Sequence, residues 1–192
     1  MKELTEIRWH GRGGQGAKTA ALLFADAALA QGMYIQAFPE YGPERMGAPV
    51  TAFNRISSKP ILLHSGVENP SIVMVLDPTL IETVDVTEGI PVNGVLVINS
   101  EKPPADIKKI FNITGSIKVF TVDASTISME TIGRDIPNTP MLGALIKATG
   151  ILDFKAMSED MRKKLEKKFK SKPEVIEGNL KAIERAYSEV RS

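Results

Sequence analysis

Four glycines fall within the six residues Gly11-Arg12-Gly13-Gly14-Gln15-Gly16. Ahead of them, residues 4–9 alternate apolar and polar side chains over a short stretch, the period of a half-buried strand. Behind them, residues 17–31 are rich in Ala and Leu and read as a helix. Strand, glycine turn and helix in that order open an α/β unit. The order also gathers free backbone N–H groups and the positive end of the helix dipole in one place, which suits an anion such as a phosphate. A plainer reading stays open, in which the glycines only let a strand and a helix pack closely.

Two phosphate fingerprints come close to this turn. Gly11, Gly13 and Gly16 satisfy G-x-G-x-x-G, the dinucleotide pattern. A carboxylate should then follow the second strand. Glu40 is the nearest candidate, but at about 24 residues past Gly16 it lies beyond the usual spacing of about 20. The nucleotide phosphate loop needs Gly-Lys-Thr, and here Ala17 separates Gly16 from Lys18 and Thr19. One extra residue turns Lys18 by about 100° around the helix and takes it off the phosphates. The run 72–77 is apolar and ends in Asp77, as such a site needs, but apolar strands ending in Asp are common.

Further along, residues 33–38 read as a second strand. Residues 39–49 then hold three prolines and two glycines, which rules out regular structure. The stretch carries Glu40, Tyr41, Gly42, Pro43, Glu44 and Arg45. Fixed backbone with mixed chemistry marks it as a loop for a ligand or a partner chain. Residues 50–56 and 61–63 suggest two strands close enough for an antiparallel hairpin. Continuous apolar runs at 72–76 and 95–98 fit strands covered on both faces, and 118–122 adds another. Asp77-Pro78 begins a short helix, and residues 103–111 suggest a second. Thr139-Pro140 reads as cap and first position of a helix stopped by Gly150. Gly143 and Ala144 permit close packing there. Met157, Met161, Leu165 and Phe169 recur every four residues on a basic amphipathic helix that Pro173 breaks, and a last helix follows.

These elements indicate a three-layer α/β/α fold with a mixed, mostly parallel sheet and added C-terminal helices. The 192 residues form one domain, with an α/β core over 1–150 and a helical extension over 151–192. Net charge is +1, so nothing global points to nucleic acid or to a membrane. No apolar run is long enough to span a bilayer, and the first residues lack the apolar region of a signal peptide, so a cytoplasmic protein is expected. The chain has no Cys, which removes thiol nucleophiles and the usual ligands of iron–sulfur clusters. It has two His, His10 and His64, far apart in sequence, and no metal site is expected.

Three stretches together resemble a known family. They are Gly11-Arg12-Gly13-Gly14-Gln15-Gly16, then Phe38-Pro39-Glu40-Tyr41-Gly42-Pro43-Glu44-Arg45-Met46-Gly47-Ala48-Pro49-Val50, then Asn138-Thr139-Pro140-Met141-Leu142-Gly143-Ala144. Their order and spacing over the first 150 residues are similar to the gamma subunit of pyruvate:ferredoxin oxidoreductase and related 2-oxoacid:ferredoxin oxidoreductases. Met46-Gly47-Ala48 after Arg45 resembles the pyruvate type more than the oxoglutarate type. The resemblance implies an enzyme of several chains that oxidatively decarboxylates a 2-oxoacid, passes the acyl group to coenzyme A and reduces ferredoxin. Thiamine diphosphate would lie in the alpha and beta chains. Iron–sulfur clusters would lie in the beta and the ferredoxin-like delta chains, with none in gamma. Glycines 11–16 would then contact coenzyme A, thiamine diphosphate or only a neighbouring chain. A free-standing dinucleotide-binding oxidoreductase built on Gly11, Gly13 and Gly16, or a nucleotide hydrolase, are the competing readings.

Overall fold

The structure, a computed structural model, describes residues 4–40 and 47–192. Six strands form one sheet in the order β2-β3-β1-β4-β5-β6. They are β1 (Leu4–Arg12), β2 (Tyr34–Pro39), β3 (Pro49–Ser57), β4 (Ile72–Val75), β5 (Val95–Asn99) and β6 (Lys118–Val122). β1, β4, β5 and β6 pair in parallel, while β3 runs antiparallel between β1 and β2. The sheet is therefore mixed, but not through the expected hairpin of residues 50–56 and 61–63. Residues 58–71 contain no strand, and the expected partner at 61–63 does not form. Pro60 in the connection donates no ladder hydrogen bond. β3 pairs instead with the strand before it, β2, through Phe53 and Phe38, and with the more distant β1 through Thr51 and His10.

One face of the sheet carries a thick helical layer. Ile7 and Trp9 of β1 point into it, against α1 (Ala17–Ala30), α4 (Asn138–Thr149), α5 (Phe154–Lys168) and α6 (Pro173–Glu189). Small residues on α1 (Ala17, Ala20, Ala21, Ala27 and Ala28) allow that close approach. Trp9 donates its indole N–H to Asn54 Oδ1 at 2.8 Å, and Asn54 Nδ2 donates to the Ala21 carbonyl at 3.0 Å. This buried relay satisfies each polar atom it uses and ties β1, β3 and α1 together. The helices at 151–192 pack into the same core, through Met157, Met161, Ile176, Leu180 and Ile183. α4 is buried from Asn138 to Ile146, and a side chain on Gly143 would overlap the carbonyl of Ile183 in α6. Glycine is what permits the two backbones to lie that close.

The opposite face is thinner. Val73, Val75, Leu96, Ile98 and Val119 meet Ile107 of α2 (Pro104–Ile110) and Val86 of a connecting segment. A 3₁₀ turn, Pro78–Glu82, follows β4, with Asp77 accepting from the Thr79 N–H as its cap. α3 (Ala124–Ile132) follows β6 and has no counterpart in the sequence reading. α4 also starts earlier than Thr139-Pro140 indicates, with Pro137 as its N-cap and Asn138 inside the helix. After α6, Arg191 pairs with Thr121 and covers the edge of β6.

Candidate functional site

The carboxyl ends of β1 and β4 are the point where the chain changes direction in the sheet. From β1 it departs toward α1 on the thick face, and from β4 toward the 3₁₀ turn on the thin one. In open α/β sheets such a switch point is where ligands sit. Here it is occupied by Arg12 at the end of β1 and Asp77 just past β4. Arg12 Nε donates to Asp77 Oδ2 at 3.1 Å, Nη2 to Thr79 Oγ1 at 2.9 Å and Nη1 to the Gly47 carbonyl at 3.1 Å. Gln15 Nε2 also donates to Asp77 Oδ2, at 2.9 Å, and Gln15 Oε1 accepts from the Arg12 N–H at 2.7 Å.

Asp77 Oδ1 receives the Thr79 N–H and hydroxyl, so its carboxylate holds four donors. Burial pushes its pKa up, but hydrogen bonds from Thr79 and Gln15 and the charge of Arg12 outweigh that and hold it below the usual carboxylate range. A carboxylate saturated in this way is a structural partner, and its donors occupy the positions a magnesium ion would need. Sequence reasoning saw Asp77 as a strand end and a cap. Its pairing with Arg12, 65 residues away, had no local signal.

The glycine turn itself is clasped from the side. Gly13 donates to the Ala48 carbonyl at 2.9 Å, and Gly47 donates back to Gly13 at 3.2 Å. Gly13 therefore has no N–H left for a ligand. Among the described residues no acceptor meets the N–H groups of Gly14, Gly16, Ala17 or Lys18. Gly14 has φ +101° and Gly16, the N-cap of α1, has φ +83°, values that favour glycine. The space around Gly14 is open, whereas a Cβ on Gly16 would meet Asn138 Nδ2 at 2.5 Å. The N-termini of α1 and α4 thus lie side by side at the turn.

Of the residues expected around this turn, Gly11, Arg12, Gly13, Gly14, Gln15 and Gly16 are brought together with Asp77. Glu40 is not among them. It is exposed past the end of β2, held by a bond from its N–H to the Thr51 carbonyl at 2.9 Å, with β3 inserted between β2 and β1. In a dinucleotide fold the second strand lies beside the first and brings its carboxylate to the ribose. Here the antiparallel β3 keeps it away. Lys18 is exposed on the side of α1 that faces Phe38 and Pro39, off the turn. Tyr41, Gly42, Pro43, Glu44 and Arg45 lie outside the described residues. A second hollow, about 390 Å3, opens over the ends of β4, β5 and β6, between Thr79, Asn99 and Lys102 and the apolar Ile107, Ile110 and Phe111. Among the described residues no cluster of His and carboxylates suits a metal ion, and no helix is long and apolar enough to cross a membrane.

One buried pair lies beneath the site on the thin face. Arg8 donates from Nη2 to the carbonyls of Val86 and Glu88, at 3.1 and 2.7 Å, while its Nε has no partner among the described residues. Its neighbour His10 is 6% exposed, and its Nε2 is also unpaired among the described residues. Burial, then the charge of Arg8, lowers the His10 pKa to about 4, so the imidazole is neutral at physiological pH.

The sequence profile of the family described as pyruvate ferredoxin/flavodoxin oxidoreductase matches residues 6–189. The chain belongs to the pyruvate ferredoxin/flavodoxin oxidoreductase family. It is 47% identical over 190 residues to the pyruvate synthase subunit PorC of Thermotoga maritima, covering 99% of this chain and 96% of that one. It is 49% identical over 154 residues to the common gamma subunit of the pyruvate and ketoisovalerate oxidoreductases of Pyrococcus abyssi, covering 80% of this chain and 83% of the relative. The crystal structure of the Thermotoga maritima pyruvate oxidoreductase subunit PORC superposes with a TM-score of 0.85 at 44% identity, over 99% of this chain and 98% of that one. A family member of this type carries the α/β architecture above, and the dinucleotide enzyme reading of the glycine turn finds no support in these relatives.

Proposed function

We propose that this chain is the gamma subunit of a cytoplasmic, multi-subunit pyruvate:ferredoxin oxidoreductase. The assembled enzyme would oxidatively decarboxylate pyruvate, transfer the acetyl group to coenzyme A, release CO2 and reduce ferredoxin. The observation that carries this reading is the near full-length identity to a pyruvate synthase subunit. The partner chains would be alpha, beta and a ferredoxin-like delta chain, holding thiamine diphosphate and the iron–sulfur clusters. This chain has no Cys and so does not fit a cysteine-ligated cluster. Its own part is to position a ligand and its neighbours.

The glycine turn is the place on this chain that fits coenzyme A. The N–H groups of Gly14, Gly16, Ala17 and Lys18, unpaired among the described residues and at the positive end of α1, are the donor set a phosphate group of that substrate requires. The residues 40–45 would contact a partner chain or the ligand beside it, with Arg45 pairing with a carboxylate or a phosphate. Purification of the native protein should bring down the other subunits. The isolated chain should neither oxidise pyruvate nor reduce ferredoxin. Pyruvate oxidation by the purified chain alone would overturn the subunit reading.

A further inference from the structure

β2 is an edge of the sheet and carries none of the usual guards. Natural edge strands are blunted by charged residues, an internal Pro or a bulge. β2 (Tyr34–Pro39) has no charged residue and no Gly, and its Pro stands at the last position. Among the described residues no backbone group pairs with its outer edge. The Glu40 N–H donates to the Thr51 carbonyl at 2.9 Å, which sets the phase of the ladder. The backbones of Tyr34, Gln36 and Phe38 face β3 in the same phase as Glu40, and those of Ile35 and Ala37 face outward. The N–H and C=O groups of Ile35 and Ala37 are therefore open to a further strand.

β2 is itself suited to be that strand. Tyr34-Ile35-Gln36-Ala37-Phe38 reads the same in both directions by chemical class: aromatic, apolar, amide, apolar, aromatic. Turned about a two-fold axis at Gln36, it meets itself antiparallel. Ile35 then exchanges hydrogen bonds with Ala37 of the second copy, Tyr34 stands opposite Phe38, and Gln36 opposite Gln36. Aromatic pairs across a ladder are favourable, and no like charges meet. Tyr34 is 48% exposed and open to such a partner. The helix beside β2 repeats the symmetry. Lys18, Leu22 and Asp26 follow one another about one turn apart along α1, and Lys18 and Leu22 border the same crevice as Ala37 and Pro39. The axis that pairs β2 with itself runs α1 antiparallel to its copy, with Leu22 against Leu22 and Lys18 against Asp26. Leu22 is 47% exposed, Lys18 has no ion-pair partner among the described residues, and Asp26 has Lys164 at 3.4 Å. We propose that β2 and α1 form an isologous interface with a second copy of this chain, joined by antiparallel β2–β2 pairing into one continuous sheet.

The test uses the purified full chain. Sedimentation velocity over a range of concentrations should show a monomer–dimer equilibrium, and hydrogen exchange at the N–H groups of Ile35 and Ala37 should slow as the dimer fills. Ala37→Pro removes an outward donor, and an outer edge tolerates Pro. Tyr34→Lys sets a charge opposite Phe38 and leaves the backbone groups in place. Each should weaken the dimer about tenfold or more, with the far-ultraviolet circular dichroism of the parent. Should Ala37→Pro unfold, Tyr34→Lys is read alone. Lys18→Asp brings like charges together and should weaken the dimer about threefold to tenfold. Adding Asp26→Lys to it should restore the parent affinity, which residues acting only within their own chain would not do. Without that rescue the two-fold axis does not lie at Gln36, and the pairing falls. A parent chain that stays monomeric overturns the proposal, as does a dimer that none of these variants weakens. Slow exchange at Ile35 and Ala37 in the assembled enzyme alone, with a monomeric isolated chain, assigns the edge to a strand of another subunit and overturns it equally.

Discussion

Arg12 Nε lies 3.1 Å from Asp77 Oδ2, across the carboxyl ends of two neighbouring parallel strands. The same guanidinium reaches the carbonyl of Gly47, next to the two bonds that join Gly13 to Gly47 and Ala48. One side chain therefore ties together the end of β1, the start of the 3₁₀ turn and Gly47. Arg12 is about a third exposed, at 31%, so solvent weakens the pair. Arg12→Ala should cost the fold about 1 kcal/mol. Its larger effect should be local, with faster hydrogen exchange at the N–H groups of Gly13 and Gly47. Unchanged exchange at both would mean that the clasp holds without Arg12.

The contact of Gly143 with Ile183 bears on stability. The atom a methyl group would strike is a backbone carbonyl on α6, which cannot rotate away as a side chain can. α4 and α6 would have to separate within a filled core. Gly143→Ala should destabilise the chain by about 2–3 kcal/mol. For a domain of this size that lowers Tm by roughly 4–12 °C. Thermal unfolding followed by circular dichroism gives the number, and a drop below about 2 °C would mean that the helices part without strain.

His10 makes stability depend on pH in one window. Its pKa is near 6.5 in an unfolded chain and about 4 in the fold, lowered by burial and then by Arg8. Between those values the unfolded chain binds a proton that the folded chain refuses. Stability therefore falls as pH drops from 6.5 to 4 and is level above, with a loss on the order of 3 kcal/mol at the acid end. Urea midpoints at neutral and mildly acid pH should diverge in the parent and much less in His10→Asn. The carboxylates of Asp77 and Asp85, whose pKa values are lowered, add losses only below the ordinary Asp range. An equal loss in parent and variant would exclude His10 as the source.

Local pattern carried much of the architecture. The alternation in β1, the Ala-rich α1 and the apolar runs of β4 and β5 are periodic signals, and periodicity survives folding. α3 was not readable for a physical reason. Ser125, Thr126, Ser128 and Thr131 look like turn residues, but in the fold Thr126 N–H bonds Asp123, and the Ser128 and Thr131 hydroxyls bond carbonyls of their own helix. The insertion of β3 between β1 and β2 depends on its pairing with the distant β1, and a short loop at 57–60 suggested a partner after β3 instead of the strand before it. At the site, the turn was legible because glycines are local. Asp77, which pairs with Arg12 there, and Asn138, which packs against Gly16, come from distant segments.

Gly14 and Gly16 now separate packing from binding. A methyl group on Gly14 meets nothing within 4 Å, so close strand–helix packing does not require glycine there. Only its φ of +101° resists a side chain, at a cost of about 1–2 kcal/mol. Gly16 has a similar left-handed φ and, in addition, Asn138 in the way. Gly16→Ala should therefore lower Tm clearly more than Gly14→Ala does. Gly14→Ala should leave a folded chain that enters the complex, and in the assembled enzyme it should raise KM for coenzyme A with kcat nearly kept. That combination follows from binding energy lost equally from ground and transition states. If Gly14→Ala instead melts the chain as strongly as Gly16→Ala and leaves the coenzyme A constant at the parent value, the turn is a packing device and its free N–H groups serve no ligand. A bound sulfate or phosphate on the N–H groups of Gly14, Gly16 and Ala17 in a crystal of the full chain would point the other way.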